Sequence, residues 1–194
     1  MDHWRSYLCG WLLENIGRRQ SALGAYREAL AVRPDFHRAA NRLAYTLASL
    51  ERYGEAESHF RRVLQSEPGN AVAHFNLGFT LEKLGRPADA LTEFRVATRL
   101  GPKIDRAWYG LGLAHAALSQ HREAANALQR AAELQPMNPH AWYALGMAHH
   151  ASGESAKLKD VAKHLARFDP KMARRLIQDS GATGLEYLVK DLVV

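Results

Sequence analysis

The sequence of 194 residues contains one cysteine, no long apolar run and no signature of a catalytic site. The single thiol, Cys9, excludes an intrachain disulfide and a zinc site built from several cysteines. No segment approaches the roughly 18–20 apolar residues that a membrane-spanning helix needs, and the first residues do not form a basic leader. These absences predict a cytoplasmic, unprocessed protein without a membrane span.

Catalytic chemistry is not indicated either. The sequence contains no nucleophile motif, no glycine-rich phosphate loop and no paired-acid signature. Among its ten histidines, His115 and His149 are expected to lie in adjacent helices, yet no third ligand that would complete a transition-metal site is evident beside them. We therefore expect no enzyme activity, no metal and no cofactor, and we expect both histidines to be packed and hydrogen-bonded.

The composition favours helices. Apolar residues make up 47% and charged residues 24% of the chain, which is ordinary for a folded domain, and Ala, Leu, Arg and Glu are abundant. The formal net charge is +6, and seven cations against two aspartates lie in the basic stretch 157–175. This stretch would attract an anionic partner, including nucleic acid, but a solvated helix face explains it more simply. We expect an all-α fold and disfavour nucleic acid binding.

A 34-residue period organises the chain. Five of the seven prolines are equally spaced at this period and divide the sequence into five repeats. The repeats span residues 3–36, 37–70, 71–104, 105–138 and 139–172, and the prolines are Pro34, Pro68, Pro102, Pro136 and Pro170. We number positions within each repeat from its first residue, so that each of these prolines is at position 32.

Small and large residues recur at fixed positions. Glycine inside a helix costs about 1 kcal/mol relative to alanine, so a recurring glycine indicates that two helices approach closely there. Alanine at position 20 would allow the same approach from the second helix, and the large residue at position 24 would fill the space beside it. Position 8 is held by Gly10, Ala44, Gly78, Gly112 and Gly146, and position 24 by Tyr26, Phe60, Phe94, Leu128 and Ala162.

The ends of the helices are marked as well. We expect Gly17, Gly85 and Gly153, all at position 15, to end the first helix of their repeats, and the proline at position 32 to stop the second helix. Asn70 and Asn138 precede the next first helix as N-caps. Leucine holds position 7 in the other four repeats, so Cys9 at this position is expected to be a small buried residue and not a reactive thiol.

These columns resemble the tetratricopeptide repeat family, with a small residue at position 8, alanine at 20 and 27, an aromatic at 24 and proline at 32. Trp108 and Trp142 also match the family's aromatic at position 4. The resemblance covers residues 3 to about 172. It implies a right-handed superhelical solenoid of five antiparallel helix-turn-helix units, the last one degenerate.

The residues after the repeats are expected to close the stack. Residues 1–172 would form the repeat domain, and 173–194 a capping helix with an apolar tail. Leu185, Leu188, Val189 and Leu192 lie at helical spacing in this tail and are expected to dock on the fifth repeat. The alternative is that the tail enters the groove of a neighbouring molecule, which would make the chain a self-assembling homo-oligomeric scaffold.

The resemblance also implies which residues bind a partner. In this family the first helices line a concave groove, and positions 2, 5, 6, 9 and 12 face it. Aromatic rings dominate positions 5 and 9 here, and we expect roughly half of them to pack sideways between helices. The expected peptide-binding residues are Tyr7, Trp11, Arg38, Asn41, Arg42, Tyr45, Phe75, Asn76, Phe79, Arg106, Tyr109, Leu113, Tyr143 and Met147.

This groove predicts the kind of partner. Aromatic and arginine side chains often dominate binding at protein interfaces, so we expect an adaptor that captures an apolar peptide or amphipathic helix with some acidic residues. The resemblance implies roles in bacterial assembly or secretion complexes. The family's clamp for the carboxylate of chaperone tails is poorly matched, because only Asn76 and Arg106 of its five residues are present. Chaperone tails are therefore disfavoured.

Overall fold

The computed structural model describes residues 2–189, and this range contains helices and turns but no strand. The expected all-α fold class is confirmed. The first helix of every repeat begins at the first residue of that repeat: α1 (His3–Asn15), α3 (His37–Ser49), α5 (Ala71–Lys83), α7 (Asp105–Ala117) and α9 (Pro139–Ala151). The second helices are α2 (Arg19–Val32), α4 (Tyr53–Ser66), α6 (Pro87–Leu100), α8 (His121–Leu134) and α10 (Ser155–Phe168). They are followed by α11 (Pro170–Ser180) and a 3-10 helix (Glu186–Val189).

The chain divides into two compact modules. The N-terminal module ends at Gly101 and contains α1 to α6, and the C-terminal module begins at Pro102 and contains α7 to α11 and the 3-10 helix. Within each module the two helices of a repeat pack against each other, and each second helix also packs against the helix that follows it. None of the described helices has both the length and the hydropathy that crossing a membrane requires.

The two helices of a repeat are in close contact where position 8 is glycine. A Cβ atom added to Gly10 would lie 2.7 Å from the ring of Tyr26, and one added to Gly78 would lie 2.8 Å from the ring of Phe94. At Gly112 the same atom would lie 2.5 Å from Leu128 and 3.2 Å from the backbone oxygen of Ala124 at position 20. Positions 8, 20 and 24 therefore meet, as the sequence predicted.

The fifth repeat completes this packing with a residue that lies after the repeat in sequence. Position 24 is Ala162 here, and a Cβ atom on Gly146 would lie 2.6 Å from Leu176 of α11. Leu176 is fully buried in the cluster that also contains Ala162 and Leu145. The small residue at position 24 thus leaves space into which α11 inserts a leucine, which gives a packing reason for the degenerate second half of this repeat.

The residues after α11 return to the same cluster. Leu185 and Val189 are buried in it, and Leu188 packs against it. The guanidinium of Arg174 also donates a hydrogen bond to the carbonyl of Val189 at 3.3 Å. Leu192, the remaining member of the apolar tail, lies outside the described residues.

The helix ends follow the expected signals. The side chain of Asn70 accepts a hydrogen bond from the backbone of Ala73, and that of Asn138 accepts one from His140, so both N-caps are confirmed. Gly17, Gly85 and Gly153 have φ angles of 81°, 73° and 77°. This left-handed conformation strains residues that carry a Cβ.

Two residues adopt this conformation without being glycine. Position 15 is Glu51 in the second repeat and Ser119 in the fourth, with φ angles of 60° and 59°. Both are exposed, and each follows the end of a first helix as the three glycines do. The two loops therefore hold a strained backbone that the other repeats avoid.

The expectation for Cys9 was wrong, because this residue is exposed. Position 7 is buried where a preceding second helix covers it, and Leu145 illustrates this by packing in one cluster with Ala124 and Leu128 of α8. No described helix precedes α1. Burial at position 7 requires a preceding second helix. The first repeat has no such helix among the described residues, so the side chain of Cys9 stays exposed.

Replacing Gly112 by alanine is expected to lower the free energy of unfolding by about 1–3 kcal/mol, because the new methyl group would overlap Leu128. The matched control is Gly24→Ala within α2, where an added Cβ meets nothing within 4 Å. That change should raise stability by about 0.5–1 kcal/mol. Urea titrations measure both, and an equal gain from the two substitutions would contradict the close approach at position 8.

Replacing Ser119 by glycine is expected to raise the free energy of unfolding by about 0.5–1 kcal/mol, because glycine adopts a φ of 59° without strain. Ser119→Ala retains the Cβ and should give no gain. Thermal and urea unfolding of the two variants give the comparison. A gain from alanine as large as that from glycine would show that the loss of the hydroxyl group, and not the backbone, is responsible.

Candidate peptide-binding site

Four aromatic side chains are exposed on the first helices of the N-terminal module: Trp4 at position 2 and three rings at position 9. Trp11, Tyr45 and Phe79, all at position 9, have 44%, 46% and 38% of their surface exposed. Their helices are consecutive neighbours, since α1 contacts α3 and α3 contacts α5. We call these three residues the aromatic face. Exposed rings at the same position of adjacent helices are unusual for a surface without a partner.

The residues at position 5 of this module play a different part. The ring of Tyr7 lies 5.3 Å from that of Phe36 and 6.0 Å from that of Tyr26, and Phe75 lies 6.0 Å from Phe94. Asn41 donates a hydrogen bond from its side chain to the carbonyl of His37 at 3.2 Å. All three side chains are half-buried. The rings of Tyr7 and Phe75 therefore connect helices, as we expected for some of the rings, whereas Asn41 bonds within its own helix.

A polar network connects α1, α2 and α3 next to the aromatic face. The hydroxyl of Tyr26 donates to Glu14 at 2.7 Å, and Glu14 also pairs with the guanidinium of Arg42 at 3.6 Å. Burial raises the pKa of Tyr26, and the bond to Glu14 raises it further. Tyr26 therefore remains a hydrogen-bond donor at ordinary pH, and the network fixes Arg42 on α3.

Cations also lie over two of the aromatic rings. The guanidinium carbon of Arg38 is 5.6 Å from the ring centre of Trp4, and Nζ of Lys83 is 5.2 Å from that of Phe79. Lys83 was not among the expected binding residues. Its spacing of four residues from Phe79 on one helix was the signal that could have identified it. Asn76, which was expected to bind, is half-buried on the same helix.

Three of the five expected residues of the C-terminal module, Tyr109, Tyr143 and Met147, pack or form hydrogen bonds within that module. The hydroxyl of Tyr143 donates to Asp179 of α11 at 2.6 Å, which raises the pKa of Tyr143, and the guanidinium of Arg175 lies 5.1 Å from its ring centre. Tyr109 and Met147 pack against the core cluster. Leu113 is half-buried and Arg106 is exposed. Position 9 of the C-terminal module holds Leu113 and Met147, both half-buried, so the exposed rings at this position lie in the N-terminal module.

The two histidines at position 11 are buried and hydrogen-bonded, as predicted. Nδ1 of His115 donates to the side-chain oxygen of Gln120 at 2.7 Å, and Nδ1 of His149 donates to Glu154 at 2.8 Å. Both bonds tie the end of a first helix to the loop after it. Within residues 2–189, no three His, Cys, Asp or Glu side chains are grouped so that they could hold a metal ion.

Part of the basic stretch is neutralised by neighbouring carboxylates. Lys157 pairs with Glu154 at 2.8 Å, Lys163 with Asp160 at 3.5 Å, and Arg175 with Asp179 at 3.4 Å. These pairs bridge residues three or four apart on exposed helix surfaces. Such pairs are typical of a solvated helix face.

Two family models described as tetratricopeptide repeat match the sequence. One matches residues 7–71 and 109–157, and the other matches residues 47–114. The chain belongs to the tetratricopeptide repeat family. No curated protein sequence matches it significantly. Members of this family act as protein-interaction scaffolds and adaptors and not as enzymes, which agrees with the function class that the repeat pattern predicted.

Solved structures of tetratricopeptide repeat proteins have the same fold. MamA from Desulfovibrio magneticus is 22% identical with a TM-score of 0.76, and the match covers 93% of this chain and 97% of that one. YrrB, described as a tetratricopeptide repeat protein with an unusual peptide-binding site, is 22% identical with a TM-score of 0.76 over 89% and 90% of the chains. PilF from Pseudomonas aeruginosa is 19% identical with a TM-score of 0.72 over 98% and 91%.

The loop after α9 is expected to make stability sensitive to acid. Hydrogen bonds from Lys157 and then His149 lower the pKa of Glu154 from 4.5 to about 2. A carboxyl group with a lowered pKa stabilises the fold above its unfolded value, and this contribution is lost as the pH falls from about 4.5 to about 2. Glu154→Gln should therefore lose less stability than the unmodified chain over this range.

Urea midpoints measured across that pH range check the effect. The control is Glu28→Gln on α2, which removes an exposed glutamate that forms no ion pair with the described residues. This control should retain the full acid sensitivity. If the urea midpoint falls equally with decreasing pH in all three proteins, the hydrogen bonds to Glu154 do not couple its protonation to folding.

Proposed function

We propose that the aromatic face of the N-terminal module binds an apolar peptide segment that also carries acidic residues. The observation that carries the proposal is the exposure of Trp11, Tyr45 and Phe79 on three adjacent first helices. Single exposed apolar side chains are ordinary on protein surfaces. Three rings at the same position of neighbouring helices form a row along which an extended peptide or one helix face could lie.

The chemistry of the surrounding residues supports the acidic part of the ligand. Arg38 and Arg42 lie on α3 and Lys83 on α5, and all three retain part of their surface in solvent. No carboxylate pairs with Arg38 among the described residues, whereas Arg42 pairs with Glu14 at 3.6 Å and Lys83 pairs with Glu82 at 3.9 Å. A peptide carboxylate beside the rings would therefore meet a local excess of positive charge, which improves both encounter rate and register.

The packing beneath the aromatic face supports a preorganised site. Tyr7 joins α1 and Phe75 joins α5 to neighbouring residues, so the backbone that carries Trp11 and Phe79 is held before a ligand arrives. A rigid surface loses less conformational entropy on binding than a mobile one. The peptide-binding site named for YrrB, whose fold is similar, is consistent with this use of the fold. A role in a bacterial assembly or secretion complex is part of the same proposal.

The alternative function, self-assembly through the C-terminal tail, has less support. Leu185 and Val189 are buried in the core cluster of their own chain. Withdrawing them to enter a neighbouring molecule would expose that cluster to water. Binding of a separate peptide requires no such rearrangement.

The proposal predicts that Tyr45→Ala combined with Phe79→Ala lowers peptide affinity at least tenfold, because aromatic anchors at interfaces commonly contribute about 2 kcal/mol each. Peptides selected from a random displayed library on the unmodified chain supply the ligands, and calorimetry measures their affinity. Apolar sequences with acidic residues are the expected selection. Circular dichroism verifies that the variant keeps its helices.

The matched control removes exposed apolar side chains from the C-terminal module and leaves the aromatic face unchanged. Tyr187 and Met137 are exposed by 52% and 70% in the C-terminal module, and replacing both with alanine should leave the affinity unchanged. If the folded double variant at Tyr45 and Phe79 binds the selected peptides as tightly as the unmodified chain does, the aromatic face is not the site.

A further inference from the structure

A ring at position 4 of the first helix forms the same hydrogen bond in three repeats. Nε1 of Trp108 donates to the carbonyl of Pro102 at 3.0 Å, and Nε1 of Trp142 donates to that of Pro136 at 2.8 Å. Nε2 of His74 lies 3.1 Å from the carbonyl of Pro68 and donates to it, because a carbonyl only accepts. In each case the acceptor is the proline at position 32 of the preceding repeat.

The second repeat has no ring at this place. Its position 4 is Ala40, and a cavity of about 380 Å³ opens beside it. The lining includes Pro34, which is the position-32 proline of the preceding repeat, and Arg62 and Val63 from α4. The carbonyl of Pro34 accepts no hydrogen bond from any described residue. The cavity therefore lies where the other repeats place a ring, and it retains the acceptor that such a ring uses.

The fifth repeat indicates how a ring would be held. The ring of His164, at position 26, lies 4.1 Å from that of Trp142. Position 26 of the second repeat is Arg62, which lines the cavity. A guanidinium plane stacks on an indole at least as well as an imidazole does, with an added cation–π attraction. Val63 and the methyl group of Ala40 supply apolar contacts, and the polar residues Asp35, His37, Gln65 and Ser66 complete the lining.

We infer that the cavity at Ala40 is a binding site for a tryptophan side chain of a partner polypeptide. The indole N–H would donate to the carbonyl of Pro34, and the indole ring would stack on Arg62 and contact Val63. The volume is within the range of about 300–1,000 Å³ found for small-molecule pockets, so one indole fits with space for its backbone attachment. A tryptophan is favoured because this chain itself uses indoles for the same bond at Trp108 and Trp142.

The inference is independent of the aromatic face. Ala40 and Tyr45 are five residues apart on α3, which separates them by about 140° around the helix. A ligand in the cavity therefore does not lie over Tyr45. Variants can remove either surface without touching the other, so the two proposals fail or succeed separately.

The test uses N-acetyltryptophanamide as the probe and the full chain labelled with ¹⁵N. We expect the amide resonances of Asp35, Arg62 and Ser66, which border the cavity, to shift on titration, with a dissociation constant on the order of 1 mM. The analogue methylated at the indole nitrogen cannot donate to Pro34 and should bind at least fivefold more weakly. N-acetylphenylalaninamide, which also lacks the donor, should be similarly weak.

Three variants complete the design. Ala40→Trp should fill the cavity from within, abolish the shifts and raise the melting temperature by about 2–4 °C. Arg62→Ala changes only an exposed side chain and should weaken probe binding without disturbing the fold. Tyr45→Ala with Phe79→Ala should leave probe binding unchanged.

The opposite results would overturn the inference. Absence of shifts at the cavity up to the solubility limit of the probe would do so. Equal binding of the methylated analogue would also do so, because the bond to Pro34 would then be irrelevant. Shifts that disappear in the Tyr45 and Phe79 variant but persist in Ala40→Trp would assign the probe to the aromatic face and not to the cavity.

Discussion

The close approach of two helices at a glycine in position 8 is the constraint on which the first, third and fourth repeats depend, whereas the second repeat has Ala44 at this position. At Gly10, Gly78 and Gly112 there is no room for a Cβ atom, because a ring or leucine from position 24 fills that space. This contact sets the separation of the paired helices. It thereby decides which side of the first helix is covered by its own partner and which side is left for a neighbouring helix or for solvent. The positions available for binding are a consequence of that choice.

The same constraint explains the difference between the first and last repeats. In the fifth repeat the filling residue comes from Leu176 of α11, because position 24 is only an alanine. That helix also brings Asp179 to the hydroxyl of Tyr143. The C-terminal module therefore uses a residue of the expected groove to hold its own last helix. In the N-terminal module Trp11 and Tyr45 remain exposed, and a ligand could contact them without displacing any described part of the chain.

The sequence predicted most of the fold, and the binding residues that it indicated stay a prediction. Helix ends, the N-caps at Asn70 and Asn138 and the bonded histidines followed from residue type and spacing, because these features depend on a few neighbouring residues. The prediction that Cys9 is buried was wrong, because the leucines at the same position of the other repeats follow a preceding helix and Cys9 follows none among the described residues. The hydrogen bond of Tyr143 and the cation over Phe79 were not predicted. The cytoplasmic location, the oligomeric state and the repeat-by-repeat division stay predictions.

The sequence by itself determined the helices and their pairing, because a regular period of glycine, alanine, rings and proline encodes local turns and one recurrent contact. The tertiary structure decided which of these side chains still reach solvent. Position 9 holds an aromatic or a large apolar residue in all five repeats, yet only the three rings of the N-terminal module are strongly exposed. The exposure of a side chain depends on which residues from distant parts of the chain pack over it. The spacing of residues within one repeat does not predict that packing.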